Sequence, residues 1–229
     1  MDPNTLVNMS FWFATAMMLA STVFFFVERA DVNAKWKTSM TVAGLVTGVA
    51  FWHYLTMSKL NAAGEVVTTY RYVDWLITVP LQIVEFYLIL AAVTAVASGL
   101  FWRLLGASLV MLIGGFLGET GLLGVNATVG FIVGMAGWIY ILYEVFAGEA
   151  AQASAASNSA GMKSAFNALK WIVSIGWSIY PIGYFLGYLS GAGADAATLN
   201  WVYNLADYIN KIAFGVIIWA AAKADTSKA

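Results

Sequence analysis

The chain has 229 residues, of which 61% are hydrophobic and only 10% charged, with a net charge of −1 and a mean hydropathy of +0.78. A soluble domain carries about 25% charged residues, so a soluble globule is excluded, and the lack of a net positive charge argues against a nucleic-acid partner. With no cysteine and a single histidine, His53, there is no material for disulfides or for a thiolate or histidine metal centre.

A membrane-crossing helix needs about 20 apolar residues. In chain order, seven stretches qualify: 6–27, 36–57, 67–91, 100–117, 125–147, 162–189 and 198–222. They predict an all-α, seven-transmembrane-helix bundle surrounded by membrane lipids, forming one multi-pass domain over residues 1–229. The connections are short, and segment 148–161, rich in Ala and Ser, reads as a mobile linker. The opening MDPNT lacks the basic region of a secretory signal, so either no leader exists or one was removed before this numbering starts.

Loop charges set the direction. With the N-terminus outside, Arg29, Lys35, Lys37, Arg103, Lys163, Lys170, Lys223 and Lys228 fall on or near the inner side, and only Lys59 falls outside. This asymmetry follows the positive-inside rule and predicts an outer N-terminus. Sequence position then becomes depth. His53 on the outward-running second span and Asp74 on the inward-running third both fall in the outer half. Glu85, eleven residues beyond Asp74, is deeper by roughly 16 Å.

The third span reads TYRYVDWLITVPLQIVEFYLIL and holds three ionisable groups. Arg71 and Asp74 are three residues apart and share a face. Asp74, Thr78 and Glu85 fall on one stripe, and Pro80 interrupts the backbone ladder between them. Glu85 has no basic neighbour in its half of the membrane, so it is expected to be a neutral acid able to give up a proton. Asp74, close to Arg71 and to a cation further along the chain, is expected to be ionised. Two carboxyls in opposite states are the mark of a proton donor and a proton acceptor. The alternative is a set of ion pairs that only fix packing, which apolar replacements do as well or better. His53 matches Asp74 in depth, and a hydrogen bond between them would hold the carboxylate in place.

The sixth span carries Trp177, Tyr180 and Tyr184 on one face around Pro181, and Trp75 adjoins Asp74. Such aromatics are core in most helices, but they also suit the walls of a flat apolar ligand. The seventh span carries the reason for one. Lys211 lies about a dozen residues from either end of its apolar stretch, whose other charge, Asp207, is one turn earlier. A charge at the centre of a membrane helix costs about 2.5–3.5 kcal/mol, so such residues are usually functional. Asp207 lies about 6 Å outside Lys211 by helical rise. Acids thus flank this amine unequally along the membrane normal.

Taken together, the seven spans, the mid-span Lys211 and the RYxDWxxTxP pattern of the third span resemble the microbial rhodopsins. The segments RYVDWLITVPLQIVEFYLIL and NLADYINKIAFGVIIW are similar to the proteorhodopsin branch. The resemblance covers essentially the whole chain. It implies all-trans retinal bound to Lys211 as a protonated Schiff base, Asp74 as primary counterion and proton acceptor, and Asp207 as second counterion oriented by Arg71. It implies Glu85 as proton donor, Thr78 as the middle of an Asp–Thr–Glu trio, and His53 as the partner of the acceptor. Trp75, Gln82, Met111, Trp177, Tyr180 and Pro181 would line the retinal pocket, with Tyr54 and Tyr203 as hydrogen-bond partners of Asp207. Gln82 matches the position where Gln marks blue-absorbing members and Leu green-absorbing ones.

The expected function is a light-driven outward proton pump, not an enzyme, in the inner (plasma) membrane of a bacterium, with homo-oligomers of five or six chains. The competing reading is a sensory photoreceptor that signals through a partner protein. That role tolerates a non-acidic residue at position 85, and the carboxyl of Glu85 favours the pump.

Overall fold

The computed structural model describes residues 3–191 and 195–227; Lys228, counted above among the inner positive charges, lies outside them. Seven helices are long and apolar enough to cross a membrane, and no strand occurs among the described residues. The first five are Pro3–Glu28, Lys37–Ala62, Thr68–Ala91, Ser98–Thr120 and Ala127–Phe146. The sixth, Ala160–Leu189, contains two π-helical turns, and the seventh is Ala196–Thr226. The first, fourth, sixth and seventh run a few residues beyond their predicted bounds, the second extends past its predicted end, and the third and fifth fall within theirs. Asn126 and Asp195 cap the fifth and seventh helices by accepting from Val129 N and Thr198 N at 2.9 and 2.7 Å. Gly121 ends the fourth in the left-handed region at φ 66°, which costs glycine little.

One expectation fails. Segment 148–161 is not a plain linker: Glu149–Ala156 forms a helix. Alanine favours helix, Glu149 places an anion at the first turn, and Ala150 and Ser154 are buried. Arg103 pairs with both Glu144 and Glu149, and Glu149 N donates to Glu144 Oε2 at 3.0 Å, so the segment is fastened to the fourth and fifth helices.

Each helix packs on its neighbours in chain order and the seventh closes on the first, giving a ring. The fourth and fifth cross closely through glycines: a Cβ on Gly114 would lie 2.8 Å from Gly134 N. Apolar side chains such as Trp12, Trp52, Trp102 and Ile175 point outward, as a lipid-facing surface requires. The polar residues turn inward. On the third helix Arg71, Asp74, Thr78, Gln82 and Glu85 are all buried, spaced by three or four residues along one stripe. Trp36 and Lys35 meet Asp225, and Trp219 and Lys223 meet Glu28, tying the first, second and seventh helices together at one end of the bundle.

Candidate functional site

Helical geometry explains how Lys211 reaches its partners. A helical side chain leans toward the N-terminus of its helix, so Lys211 bends back over the turn that carries Asp207. Its Nζ lies 3.3 Å from Asp207 Oδ2 and 2.8 Å from Asp74 Oδ2 on the third helix. All three groups are buried. Arg71, also buried, has Nη1 3.7 Å from Asp207 Oδ2. Two cations therefore face two carboxylates, and the cluster is neutral when all four are charged. Unpaired, either carboxylate would be costly at this depth.

Asp207 is the more heavily hydrogen-bonded acid. It accepts from Tyr54 at 2.6 Å, Tyr180 at 2.8 Å and Trp75 Nε1 at 3.0 Å. The pairing with Tyr54 was expected, but that with Tyr203 is corrected: the Tyr203 hydroxyl donates to the Tyr180 carbonyl at 3.4 Å. Tyr203 stacks on Tyr180, and that places its hydroxyl past the carboxylate. Tyr180 and Trp75, read from sequence only as pocket walls, do the donating.

Asp74 has fewer partners. Oδ2 takes the lysine, and Oδ1 has no hydrogen bond. His53 Nδ1 stands 3.6 Å from Oδ1, too long for the expected hydrogen bond. The same nitrogen meets the Val49 carbonyl at 3.0 Å, and since a carbonyl only accepts, its proton points there. The Thr78 hydroxyl donates to the Asp74 backbone carbonyl at 3.0 Å, bracing the helix beside the acid. Arg71 does not sit with Asp74 as their shared face suggested. It donates to Tyr54 at 3.1 Å and to Asn200 and Asn204 at 3.2 and 2.8 Å, all on the Asp207 side. The asparagines were legible: 200, 204, 207 and 211 form one polar stripe along the seventh helix.

Glu85 stands apart. It is buried, neither of its oxygens has a hydrogen bond, and no salt bridge reaches it among the described residues. Ser39 of the second helix is the polar group beside it. Sequence reasoning missed Ser39, which carries no signal of its own within an apolar span.

A cavity of about 790 Å³, open surroundings included, is lined by Lys211 and Asp207. All six predicted wall residues, Trp75, Gln82, Met111, Trp177, Tyr180 and Pro181, line it. Trp138, unpredicted, also lines it. Gln82 Nε2 is buried there without a hydrogen-bond partner. Retinal fits this setting: an amine opens into an aromatic slot with two carboxylates at the nitrogen, and an unpaired amide lies along the wall. The lysine ammonium and a protonated Schiff base carry the same single positive charge, so the counterions suit both. No cluster that could hold a metal ion occurs among the described residues.

The sixth helix is irregular beside the cavity. Pro181 has no N–H to donate, and the backbone takes a π turn over Ile172–Gly176. Trp177 N bonds to the Ile172 carbonyl and Tyr180 N to the Trp177 carbonyl, which leaves Val173 and Gly176 carbonyls free. Trp138 Nε1 donates to the first at 2.8 Å and Asn210 Nδ2 to the second at 3.0 Å.

Comparison with known proteins agrees with this geometry. The family model described as bacteriorhodopsin-like protein matches residues 5–224. The chain is 55% identical to a blue-light absorbing proteorhodopsin of Gamma-proteobacterium Hot 75m4, over 100% of this chain and 91% of that protein. It is 53% identical, with the same coverage, to a green-light absorbing proteorhodopsin of Gamma-proteobacterium EBAC31A08. The crystal structure of the blue light-absorbing proteorhodopsin from Med12 superposes with a TM-score of 0.82 at 60% identity, covering 96% of this chain and 98% of that one. With its seven-helix ring, buried lysine and matching sequence over nearly its full length, the chain belongs to the bacteriorhodopsin-like family.

Proposed function

We propose that the protein is a light-driven outward proton pump that absorbs blue light and holds all-trans retinal on Lys211. The observation that carries this reading is the unequal placement of carboxyls around one buried amine. Asp74 touches the Lys211 nitrogen at 2.8 Å, and Glu85 waits eleven residues along the same helix without a partner. Retinal bound to Lys211 as a protonated Schiff base supplies light absorption and a light-driven change in the proton affinity of that nitrogen.

The chain's residues do the rest. Asp74 Oδ2 accepts the proton, and the free Oδ1 beside His53 leaves it room to do so. Tyr54, Tyr180 and Trp75 donate to Asp207 and Arg71 stands beside it, so a carboxylate near the nitrogen stays matched by donors and a cation while Asp74 carries the proton. Glu85 returns a proton to the Lys211 nitrogen from the opposite side. The apolar walls between them exclude water, which blocks back-transfer. Loop charges support an outer N-terminus, which puts Asp74 toward the outside and Glu85 toward the inside. We place the pump in a bacterial plasma membrane, in keeping with its proteobacterial relatives, and propose assembly as pentamers or hexamers on the family resemblance alone. A carboxyl at position 85 favours the pump over a sensory receptor, which has no need to reload a nitrogen quickly.

Cells expressing the chain with added retinal are illuminated in weakly buffered medium. Outer acidification that an uncoupler abolishes is the expected result. No acidification, or a visible absorption band that survives Lys211→Ala, sinks the reading.

A further inference from the structure

Glu119 is an acidic side chain for which this scheme has no task. It lies in the last turn of the fourth helix, at the end of the bundle that also holds the start of the third helix and the end of the sixth. The Tyr72 hydroxyl donates to its Oε1 at 2.9 Å, and Tyr188 of the sixth helix lies near the same carboxyl. Gly115, one turn earlier, leaves the space for this: a Cβ there would lie 2.8 Å from the Tyr72 hydroxyl oxygen.

The position joins interior to exterior. Glu119 and Tyr72 line the same cavity as Lys211. Tyr72 is buried, Glu119 is partly exposed, and Tyr188 is 39% exposed. Toward the inside, Tyr72 packs edge-on against Trp75 with ring centres 5.1 Å apart, and Trp75 donates to Asp207. The charged and titratable groups that face Glu119 are Arg71 and Tyr72 from the third helix, Tyr184 and Tyr188 from the sixth, and Tyr203 from the seventh. Arg71 supplies the positive charge among them.

We propose that Glu119, held by Tyr72 and lying beside Tyr188, is the last protein group to carry the outgoing proton before it enters the outer medium. This rests on the pump reading. The proton leaves the Asp74 carboxyl, with Asp207, Tyr203 and Tyr72 supplying polar atoms on the way. It binds the Glu119 carboxylate, giving a neutral acid. That O–H bond then breaks, the proton passes to outer water, and the carboxylate facing Arg71 is restored.

The test uses the full chain with retinal in lipid nanodiscs, flash excitation, a pH-indicating dye in the medium and time-resolved infrared spectroscopy. Glu119→Gln keeps an acceptor for Tyr72, so the packing survives. Its proton release should lag the loss of the proton from Asp74 at least tenfold more than in the parent, and a transient carboxylic-acid band should vanish. Glu119→Asp should restore both. Tyr72→Phe should keep the band but shift it to higher frequency, since one hydrogen bond is gone. If the parent releases protons and Glu119→Gln does so on the same time course with the band intact, Glu119 is not on the exit path. A parent that releases no proton in light removes the pump reading first, and this inference with it.

Discussion

Lys211 Nζ and Asp74 Oδ2 are 2.8 Å apart, and neither side chain is more than 3% exposed. Removing one member of a buried pair leaves an uncompensated charge and typically costs about 3–5 kcal/mol. Here Asp207, 3.3 Å from the same nitrogen, softens the loss. Asp74→Asn should therefore fold, stop transport and absorb at longer wavelength. The shift has a definite sign: excitation moves positive charge away from the nitrogen, so an anion beside it favours the ground state and widens the gap. Lowering the pH until Asp74 is protonated removes the same anion and should give the same red shift. Asp74→Asn should have lost that titration. A spectrum followed against pH checks both.

Glu85 is expected to behave oppositely. It makes no ion pair among the described residues, and eleven residues separate it from Asp74 along the helix, roughly 16 Å. Glu85→Gln should leave the absorption maximum nearly unchanged. It should slow reprotonation of the Lys211 nitrogen by about 10²–10⁴-fold, the usual weight of a positioned acid. Flash spectroscopy measures the rate, and a rate equal to the parent's would remove Glu85 from its role.

What the sequence made legible follows physical rules that act along one helix. Hydropathy placed seven spans, and helical spacing placed Asp74, Thr78 and Glu85 on one buried stripe. The relations it missed are between helices. Nothing in the spacing of Trp75 and Tyr180 says that both aim at Asp207 while Tyr203 passes it, because that depends on how the third, sixth and seventh helices are rotated. Helical spacing alone put Arg71 with Asp74; its pairing with Asp207 was implied only by the family resemblance, for the same reason. Glu119 escaped because hydropathy ended the fourth span at residue 117, which put the acid in a loop; the helix continues to Thr120. The Ala and Ser content of 148–161 was read for its low complexity when its helix propensity decided the outcome.

Gln82 gives a prediction about colour and stability together. Its Nε2 is buried in the cavity wall without a partner. A polar amide there favours the ground-state charge distribution, so Gln82→Leu should shift absorption toward green while pumping continues in the same direction. An unsatisfied buried amide costs about 1–3 kcal/mol. The leucine variant should thus be no less stable, and its melting temperature should equal or exceed the parent's. A blue shift, or a fall in melting temperature, would contradict the assignment.

The bond from Asn210 to the Gly176 carbonyl couples the residue beside Lys211 to the π turn of the sixth helix. That carbonyl loses its helical partner because Tyr180 N turns to Trp177 instead. Asn210→Ala would leave it orphaned, at about 1–3 kcal/mol. At about 2–4 °C per kcal/mol for a domain of this size, the melting temperature should drop by several degrees. The bond also fixes where the sixth helix stands relative to Lys211. Its loss should change the rate at which the illuminated protein returns to its starting spectrum, by more than Trp138→Phe does, since the Trp138 bond to Val173 ties only the fifth and sixth helices. Asn210→Asp keeps an acceptor but removes the donor, so it should behave like Asn210→Ala in recovery rate. If it instead matches the parent, the hydrogen bond is not what sets the rate.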